Sequence, residues 1–513
     1  MISVIGGLKT KNKKMIYPII SAEEAAEFVQ NGFTVGVSGF TSPGCPQAVP
    51  VAIAERAKRE HEAGREFKIN LFSGASTSDH IDGELTRANA LNFRTPYQSH
   101  PDMRKAINAN DIHYNDRHLS ELAQEFRYGF YGKMDVAIVE AQSITDDGEL
   151  VLGTSMGNTA TWLKTADKVI VEINDQIPES IRGMHDVYTP NDPPYRREIP
   201  IYTPHDRVGS PTAHVDPKKV LGVVKTSLPI SKEGAFTPVD EVTAAIGRNV
   251  CAFLVNELKQ GRIPKEFLPL QSGVGNIANA VLDALDKSDE IPPFEMYTEV
   301  IQDSVLELLE SGKCKFASTC SMTFSSQAMT EFFEKGEALH NKVLMRPSEI
   351  SNNPEVVRRL GVITMNTAIE ADIYGHINST HVSGTRLMNG VGGSGDFTRN
   401  AYISIFLCPS IKKDDCISTI VPMVSYPDHN PHSVDIIITD QGIADLRGKD
   451  PVQSAHEIIE HAAHPVYRPL LREYLNLAKK GHVMMNPDIA FAFHSTLMHE
   501  GDMRKTDYAK FMK

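Results

Sequence analysis

Hydrophobic and polar positions form two kinds of stretch in the first part of the chain. Short apolar runs occur at residues 33–40 (FTVGVSGF) and 68–76 (KINLFSGAS), and residues 47–61 between them carry apolar side chains at helical spacing. Further apolar runs occur at residues 135–141 and 168–174. Short strands that alternate with amphipathic helices are typical of βαβ units in a mostly parallel sheet. The pattern therefore predicts an α/β fold.

A proline-rich region interrupts this pattern between Ile177 and Pro238. It contains few long apolar runs, which predicts an extended connecting region. The α/β pattern then resumes. We expect an N-terminal α/β domain at residues 1–225, which includes the proline-rich connecting region, and a C-terminal α/β domain at residues 226–513.

Two segments of the chain resemble each other. Residues 37–74 and residues 271–299 each contain Ser-Gly, a loop, an alanine-rich helix and a strand, and the alignment sets Gly74 opposite Glu299. A second, looser pair of similar segments lies at residues 135–159 and 365–393. Such self-similarity indicates an internal duplication. The two domains are therefore expected to be related.

Composition and charge narrow the function. The chain has 41% hydrophobic and 23% charged residues, which is typical of a globular protein. Its net charge of −13 argues against a broad nucleic-acid surface but allows a small anionic ligand that is bound by local donors. No apolar run approaches the ~18 residues of a membrane span. We expect a cytoplasmic protein without membrane contact, with translation starting at Met1 or Met15.

Cysteine and histidine spacing gives no sign of a metal site. The six cysteines form no CxxC pair, so we expect free, buried thiols and no disulfide framework. The 19 histidines include no HExxH pattern. His429 and His432 form a close pair in DHNPHS, but loop histidines near Asn and Pro are more often solvated than metal ligands. We predict no bound metal.

A first glycine loop precedes a predicted helix at residues 277–286. Gly273 and Gly275 let backbone N–H groups approach a ligand, and a helix N-terminus favours an anion or a developing oxyanion. The loop also fits the nucleotide fingerprint G-x-G-x-x-A, with Glu299 where a ribose-binding acid would lie. The Pro and Gln in the preceding FLPLQS weaken this dinucleotide alternative, because a first Rossmann strand is continuously apolar.

A second glycine loop lies at residues 383–397 (SGTRLMNGVGGSGDF). The alternative interpretation is a flexible surface loop, which most glycine-rich stretches are. Apolar structure bounds this loop on both sides, which favours an ordered turn at the edge of the sheet. Such a turn can present several backbone N–H groups at one point.

Glu299 is a carboxylate in otherwise strand-like text, MYTEVIQDSV. One interpretation is an acid just upstream of the helix VLELLESG, with Asp303 or Ser304 as the helix cap. The other is a nucleophile. A carboxylate becomes an effective nucleophile when it is partly desolvated and held beside donors that stabilise the oxyanion it creates, and the two glycine loops can supply such donors.

Five motifs together carry a resemblance to a known family. They are SGVGNIANAV, MYTEVIQD, SGTRLMNGVGGSGDF, VPMVS at residues 421–425 and TDQGIADLRG at residues 439–448. In this order they resemble the acetyl-CoA hydrolase/transferase family of class I CoA-transferases, and within it the succinyl-CoA:acetate CoA-transferase branch. The resemblance spans nearly the whole chain. It implies two tandem, related CoA-transferase-type (NagB/RpiA-like) α/β domains with mostly parallel sheets.

The resemblance also implies a mechanism. Glu299 is expected to attack the thioester of an acyl-CoA, forming an acyl-glutamyl anhydride and then a glutamyl-CoA thioester. Backbone N–H groups of Val274 and Gly393 are expected to bind the oxyanions. Asn352 resembles a family asparagine near the nucleophile; the alternative is a turn residue before Pro354.

Similarity further implies the residues of the ligand sites. The expected CoA site consists of Gly273, Val274, Gly275, Asn276, Ile277, Ile369, Asn389, Gly393 and Lys413. For Lys413 the alternatives are a role for Lys412 or simple exposure to solvent. Ser76 and Asp440 are expected to contact the carboxylate substrate, and the shorter side chain of Asp440, where some relatives are expected to have Glu, puts any transferred acyl preference in doubt.

The expected activity is therefore transfer of CoA between an acyl-CoA, such as succinyl-CoA, and a short carboxylate such as acetate. Acetyl-CoA hydrolysis by the same glutamate is the near alternative. A nucleotide-dependent oxidoreductase and a non-catalytic acyl-CoA sensor are distant alternatives. The resemblance implies a homodimer with acyl-CoA as substrate and no permanently bound cofactor.

Overall fold

The structure is a computed structural model that describes residues 16–75, 77–230 and 239–512. We call residues 16–230 the first half and residues 239–512 the second half. Each half is built on one large, mostly parallel sheet with helices packed against it. The predicted α/β class with mostly parallel sheets is confirmed.

The first half contains nine strands and six α-helices among its described residues. The strands are β1 (Thr34–Val37), β2 (Ile69–Phe72), β3 (Leu91–Thr95), β4 (His113–Tyr114), β5 (Met134–Ile144), β6 (Glu149–Leu152), β7 (Ala166–Asn174), β8 (Ala213–His214) and β9 (Val220–Thr226). The helices are α1 (Ala22–Glu27), α2 (Ala48–Glu62), α3 (Glu84–Arg87), α4 (Pro101–Asn108), α5 (Leu122–Arg127) and α6 (Thr159–Thr165).

The second half, within residues 239–512, is longer and contains more strands, several of which are only two residues long. Its strands are β10 (Leu270–Ser272), β11 (Phe294–Tyr297), β12 (Val300–Ile301), β13 (Cys314–Thr319), β14 (Ser321–Met322), β15 (Val343–Met345), β16 (Ile363–Thr367), β17 (Glu370–Asp372), β18 (Ile377–Asn378), β19 (His381–Val382), β20 (Arg386–Leu387), β21 (Ile403–Leu407), β22 (Ile411–Lys412), β23 (Ile417–Ser418), β24 (Ile420–Val421), β25 (Ile436–Thr439) and β26 (Gly442–Asp445).

Its helices are α7 (Glu241–Lys259), α8 (Asn276–Asp286), α9 (Asp303–Ser311), α10 (Ser326–Glu334), α11 (Glu337–His340), α12 (Ser348–Ser351), α13 (Pro354–Leu360), α14 (Ser394–Thr398), α15 (Pro451–His461), α16 (Arg468–Leu477) and α17 (Ala492–Glu500). Shorter helical turns lie at Asp79–Gly83, Glu179–Ile181, Pro217–Lys219, Pro431–Ser433, Met503–Lys505 and Tyr508–Lys510.

The two large sheets share one strand order. The first runs β4-β3-β2-β1-β5-β7-β9 and the second β15-β13-β11-β10-β16-β21-β25, with every neighbouring pair parallel. In this correspondence β1-α2-β2 matches β10-α8-β11, and β5 matches β16. These are the segments that the sequence paired, so the two halves share the predicted repeat.

The predicted connecting region contains more structure than expected. β9 lies within residues 177–238 and pairs along its length with β7, so this part of the prediction is wrong. Its sequence VLGVVKT is a short β-branched run that buries Val223 and Val224. The proline-rich residues 177–212 contain isolated β-bridges but no strand, as expected.

One hydrophobic core joins the two halves. It runs from Trp162 and Phe72 of the first half to Met296 and Ile363 of the second. Backbone hydrogen bonds reinforce the seam between the halves: Met156 donates to the Cys320 carbonyl at 3.0 Å, and Met322 donates to the Thr154 carbonyl at 3.0 Å. Residues from both halves are therefore held in fixed positions near the ends of β2 and β11.

A buried ion pair also crosses this seam. The guanidinium of Arg346, which has no exposed surface, contacts the carboxylate of Asp186 and donates to Ser318 Oγ at 2.8 Å. Asp186 in turn accepts backbone N–H bonds from Val208 and Gly209. Both charges are compensated where they are buried.

All six cysteines are free; four are buried as predicted, while Cys251 and Cys416 are partly exposed. In the described parts of the chain, we find no helix with the length and apolarity that crossing a membrane requires. In the same ranges, no three His, Cys, Asp or Glu side chains converge so as to hold a metal ion.

Candidate active site

Glu299 lies at a bend between β11 and β12 of the second half. It follows the carboxyl end of β11, the edge of a parallel α/β sheet where ligands commonly bind. Its backbone carbonyl is fixed by hydrogen bonds from Cys320 N at 2.9 Å and from Thr319 Oγ1 at 3.0 Å. The side chain is therefore directed from a rigid backbone.

The carboxylate of Glu299 is held by Asn352. Asn352 is fully buried at the end of α12, and its Nδ2 donates to Glu299 Oε2 at 2.5 Å. Ser351 Oγ donates to Asn352 Oδ1 at 2.7 Å, which fixes the orientation of the amide. Burial raises the pKa of Glu299 to about 7, and the bond from Asn352 opposes this rise.

The alternative interpretation of Glu299 as an acid near a helix start does not hold. The helix that follows, α9, begins at Asp303 with Gln302 as its N-cap residue and no side-chain cap, so neither Asp303 nor Ser304 caps it as that interpretation required. The Glu299 carboxylate bonds Asn352 instead.

Both glycine loops reach the same cleft, which has a volume of about 130 Å³. The cleft contains residues of the two loops, of the neighbouring strands and of the first half. Its lining consists of Tyr97, Gln271, Ser272, Gly273, Val274, Glu299, Val300, Asn366, Thr367, Ser379, Asn389, Gly390, Val391, Gly392, Gly393, Ser394 and Phe397. The structure thus brings Glu299 together with both loops, as the sequence predicted.

Gly393 packs directly on the Glu299 carboxylate. A Cβ atom at this position would overlap both Glu299 Oε2 and the Asn352 amide. Any side chain here would displace the carboxylate, so glycine is required by close approach.

Two residues that line the cleft with Glu299 have backbone N–H groups that are available to a ligand. Within the described chain, the N–H groups of Val274 and Gly393 have no hydrogen-bond acceptor, whereas Gly273 N donates to the Met365 carbonyl at 3.0 Å. Val274 is 51% exposed, so the first loop is open to solvent at this residue. An oxyanion in the cleft would find two free donors.

The start of α8 is a second free donor group. Asn276 is its first residue, and its N-cap Gly275 adopts φ 102°, a conformation that favours glycine. No side chain caps this N-terminus. The matching helix of the first half, α2, is different, because Glu172 accepts hydrogen bonds from the N–H groups of Gln47, Ala48 and Val49 at 2.7–3.1 Å.

The first half has no counterpart of Glu299. Gly74 occupies the matching position, two residues after β2. A Cβ atom there would overlap the carbonyl oxygen of Gly39 and lie 2.6 Å from the Cα of Gly157. Packed backbone fills the space in which the second half has its cleft.

Some predicted site residues lie away from the Glu299 cleft. Ile369 is half-buried and donates its N–H to the Asn378 carbonyl at 2.8 Å. Lys413 lies in an exposed turn between β22 and β23 with φ 50°. Neither residue lines the cleft. Ser76 lies outside the described residues.

Asp440 is also away from the cleft. Its carboxylate is occupied by Ser410, whose N and Oγ donate at 2.6 and 3.0 Å, and by Gln441 Nε2 at 2.7 Å. This local network orders the end of β25.

His429 differs from its prediction. We expected a solvated loop histidine, but His429 is buried and its Nε2 lies 3.0 Å from Ser394 Oγ, beside the second glycine loop. Burial lowers the pKa of His429 to about 4, so it is neutral. His432 is exposed as expected.

The sequence reasoning missed the contribution of the first half to the cleft. Tyr97, two residues after the end of β3, lines the cleft and lies against the second glycine loop. Burial and the charge of Glu299 raise the pKa of Tyr97 to about 12, so its hydroxyl is protonated. No local pattern distinguishes Tyr97 from other tyrosines, since packing of the two halves alone brings it to Glu299.

The chain is similar to enzymes that act on acyl-CoA. It is 48% identical to propanoyl-CoA:succinate CoA transferase of Escherichia coli over 94% of this chain and 98% of that protein. It is 44% identical to succinyl-CoA:acetate CoA-transferase of Clostridium kluyveri over 97% and 92%. It is 41% identical to acetyl-CoA hydrolase of Schizosaccharomyces pombe over 93% and 94%.

A solved structure and two family models complete the comparison. The 4-hydroxybutyrate CoA-transferase of Porphyromonas gingivalis shares the fold with a TM-score of 0.62 at 22% identity, over 90% of this chain and 97% of that one. Residues 7–225 match the acetyl-CoA hydrolase/transferase N-terminal domain, and residues 326–475 match the C-terminal domain. The chain therefore belongs to the acetyl-CoA hydrolase/transferase family.

Proposed function

We propose that this enzyme is a CoA-transferase that uses Glu299 as a covalent nucleophile. The observation that carries the proposal is the placement of one carboxylate, with a pKa raised to about 7, between two glycine loops with free N–H groups. Partial desolvation favours attack by a carboxylate, and preorganised N–H groups stabilise the oxyanion that it forms.

The first half-reaction has two steps. A Glu299 carboxylate oxygen bonds to the thioester carbonyl carbon of an acyl-CoA, the C–S bond breaks, and CoA thiolate leaves an acyl-glutamyl anhydride. The thiolate then bonds to Cδ of Glu299 and the carboxylate of the original acyl group leaves. The product is a glutamyl-CoA thioester, and no proton is consumed.

The second half-reaction reverses these steps with another carboxylate. That carboxylate attacks Cδ of Glu299 and displaces thiolate, and the thiolate attacks the new acyl carbonyl and releases free Glu299. Each step exchanges one activated acyl group for another of similar energy, so the reaction needs no ATP. We assign oxyanion binding to the N–H groups of Val274 and Gly393, which lie on opposite loops of the cleft.

The proposed CoA site follows from the same loops. The uncapped start of α8 offers the N–H groups of Asn276 and Ile277 to an anion. Gly273 and Gly275 are proposed to contact CoA otherwise, since their own N–H groups donate to the Met365 carbonyl and to Gln302 Oε1. Asn389 lies in the second loop and lines the cleft. Lys413 and Ile369 are proposed contacts farther along the CoA molecule, where an exposed cation suits a phosphate.

The proposed substrates are a short acyl-CoA and a short carboxylate. The two bacterial transferases described above, named for propanoyl-CoA with succinate and for succinyl-CoA with acetate, support this class. Ser76 and Asp440 remain proposed contacts of the carboxylate substrate. We also propose that the enzyme works in the cytoplasm, which cell fractionation would test. We further propose that it is a homodimer without a permanently bound cofactor, which sedimentation and mass analysis of the purified enzyme would test.

Hydrolysis by the same glutamate is the second candidate. The similarity to a yeast acetyl-CoA hydrolase favours it, and it requires only that water replaces the carboxylate acceptor. The two activities differ in one measurement. A hydrolase releases free CoA thiol without an added carboxylate, whereas a transferase exchanges the acyl group only when a carboxylate is present.

The test of the proposal uses the substitution Glu299→Gln. We expect acyl exchange between succinyl-CoA and acetate to fall by several orders of magnitude, because the amide is not a nucleophile. Intact mass after acyl-CoA and borohydride treatment should show a modified wild-type enzyme and an unmodified variant.

The matched control is Glu295→Gln. Glu295 lies on β11 four residues earlier, and its carboxylate faces His205 at 3.0 Å rather than the cleft. This variant should keep wild-type exchange. Retained exchange in Glu299→Gln would refute the proposal, turnover in the wild type excludes a sensor, and a nicotinamide-dependent absorbance change would indicate an oxidoreductase.

A further inference from the structure

We propose that Asp116, in the first half, is a positioning residue that holds the second glycine loop in the geometry that Gly393 needs beside Glu299. The inference rests on the proposed function, because it takes this loop to supply an oxyanion donor. Asp116 belongs to the first half, although the nucleophile and both glycine loops belong to the second.

The carboxylate of Asp116 accepts a backbone hydrogen bond from the loop, two residues before Gly393. Asp116 follows β4 at the edge of the first sheet, and its Oδ1 and Oδ2 lie 3.0 and 2.9 Å from the backbone N of Val391. The Tyr114 hydroxyl, which lies 2.9 Å from the Pro96 carbonyl, is also within hydrogen-bond distance of Oδ1, at 3.3 Å. A hydrogen bond from N–H to an ionised carboxylate is stronger than one between neutral groups.

The loop is shaped to admit this contact. A Cβ atom on Gly390 would lie 2.7 Å from Asp116 Oδ1 and 3.0 Å from the ring of Tyr97, and it would overlap the Tyr114 hydroxyl. The backbone at Gly390 therefore passes against the first half at a distance that only glycine permits. The close approach places Val391 N within reach of Asp116.

Side chains of α4 hold the loop on its N-terminal side. Asn108 accepts the N–H of Leu387 at 2.9 Å and donates to the carbonyl of the same residue at 2.9 Å. Arg104 Nε donates to the Met388 carbonyl at 2.5 Å. These bonds fix where the loop enters the cleft.

Ser120 holds the loop on its C-terminal side. Its N and Oγ donate to the two carboxylate oxygens of Asp396 at 3.0 and 2.6 Å, and all of these groups are buried. The segment between the two anchors contains Val391 and Gly393. Gly390 N also donates to the Gln98 carbonyl of the first half, at 3.3 Å. Asp116 supplies the hydrogen bond from the first half that lies nearest to Gly393 along the chain, and we therefore assign to it a part in positioning the proposed donor.

Several charged and titratable groups act on Asp116. Burial is the main cause that raises its pKa to about 7, and the N–H of Val391 opposes the rise. Asp428 raises the pKa of Asp116, while Tyr114 and Arg117 lower it. Near neutral pH the carboxylate is therefore partly ionised, and both protonation states leave an oxygen that accepts the N–H of Val391.

The test compares Asp116→Leu with Asp116→Asn. Leucine has a similar size but accepts no hydrogen bond, whereas asparagine keeps one oxygen for Val391. We expect Asp116→Leu to lower kcat for acyl exchange by about 10²-fold with the KM for acyl-CoA nearly unchanged, since a small displacement of a catalytic group has an effect of this size. Asp116→Asn should recover most of the loss.

The matched control is Asp102→Leu. Asp102 lies on α4 with its exposed carboxylate 2.7 Å from Arg87, away from the loop. This variant should keep the wild-type kcat. A kcat for Asp116→Leu equal to that of this control, in an active wild-type background, would overturn the inference while leaving the proposed function intact.

Hydrogen exchange gives a second measurement that does not depend on catalysis or on the leucine variant folding. In Asp116→Ala, which removes both acceptor oxygens without adding bulk, peptides that cover residues 387–396 should exchange faster than in the wild type, and peptides of β10 and β11 should not. Unchanged exchange in residues 387–396 would also overturn the inference. An inactive wild type would instead remove the proposed function, and the exchange pattern would still report whether Asp116 holds the loop.

Discussion

Asn352 Nδ2 lies 2.5 Å from Glu299 Oε2, and the backbone of Gly393 closes over both groups so tightly that no side chain fits there. One amide thus both orients the carboxylate and stabilises its charge. Three segments that are distant along the chain meet at this point, and the chemistry of the cleft depends on their spacing.

The contact between Asn352 and Glu299 predicts the pH dependence of activity. The pKa of Glu299 is raised to about 7, and only the ionised carboxylate attacks, so kcat/KM for acyl-CoA should rise with pH through about 7. Because the bond from Asn352 lowers this pKa, Asn352→Ala should move the rising limb to higher pH and reduce the rate. The measurement is the pH profile of kcat/KM from about pH 5 to 9.

Asn353→Ala is the control for this shift. The side chain of Asn353 caps α13 by accepting the N–H groups of Glu355 and Val356 at 3.0 and 3.3 Å. Its loss should lower the free energy of unfolding by about 1 kcal/mol without moving the limb. A limb that stays in place in Asn352→Ala would contradict the assignment of the limb to Glu299.

Gly393→Ala should disrupt the reacting geometry. The added Cβ overlaps Glu299 Oε2 and the Asn352 amide, so the carboxylate must move, and we expect kcat to fall by about 10²-fold or more. Steady-state exchange assays measure this. Gly481→Ala is the control, because a Cβ there meets only the Val483 carbonyl, at 3.4 Å. Equal activity of the two variants would show that the Gly393 backbone is not pressed against the nucleophile.

Tyr97→Ala should increase the access of water to the cleft. The ring of Tyr97 lines the cleft from the first half and lies against the second glycine loop, so its removal opens a path for water to the covalent intermediates. We expect acyl-CoA hydrolysis to increase relative to acyl transfer. Hydrolysis is measured as the free CoA thiol released without a carboxylate acceptor. Tyr195→Ala, which removes a side chain on a residue that is 76% exposed, should leave the ratio unchanged. An unchanged ratio in Tyr97→Ala would mean that other groups exclude water.

The buried pair of Arg346 and Asp186 should matter for stability. Arg346→Met leaves the Asp186 carboxylate buried without its cation, and such losses cost about 3–5 kcal/mol. Urea unfolding followed by the fluorescence of Trp162, the single tryptophan of the chain, measures the change. Arg248→Met removes an exposed pair with Glu241 and should cost less than about 1 kcal/mol. Similar midpoints for the two variants would count against the importance of the seam.

The sequence was informative wherever a property is local or repeated. Apolar periodicity located β1, α2, β2, β5 and β7, and the internal repeat matched β1-α2-β2 with β10-α8-β11, as the shared strand order confirms. Local sequence features already pointed to Glu299 and to both glycine loops, the family resemblance added their expected roles, and all three line one cleft. These features were accessible because neighbouring residues in the sequence carry them.

Features that arise from packing between the halves could not be predicted from the sequence. Tyr97 and Asp116 follow strands of the first sheet, and only the docking of that sheet against the second brings them to residues 390–393. His429 was misjudged for a different reason, because its burial depends on Ser394 and Phe406, which lie far from it along the chain but within the same half; the Phe406 ring lies 5.0 Å from the imidazole. β9 was missed because prolines dominate the text before it.

The crowding at Gly74 determines how many covalent labels each chain is expected to carry. Where the second half has Glu299, the proposed nucleophile, the first half has three glycine backbones in contact, and Glu172 already accepts the N–H groups at its corresponding helix start. A polypeptide built from two copies of one architecture should therefore carry a single covalent label at saturation. The other copy has a structural role, since it supplies the surface on which the reactive copy packs.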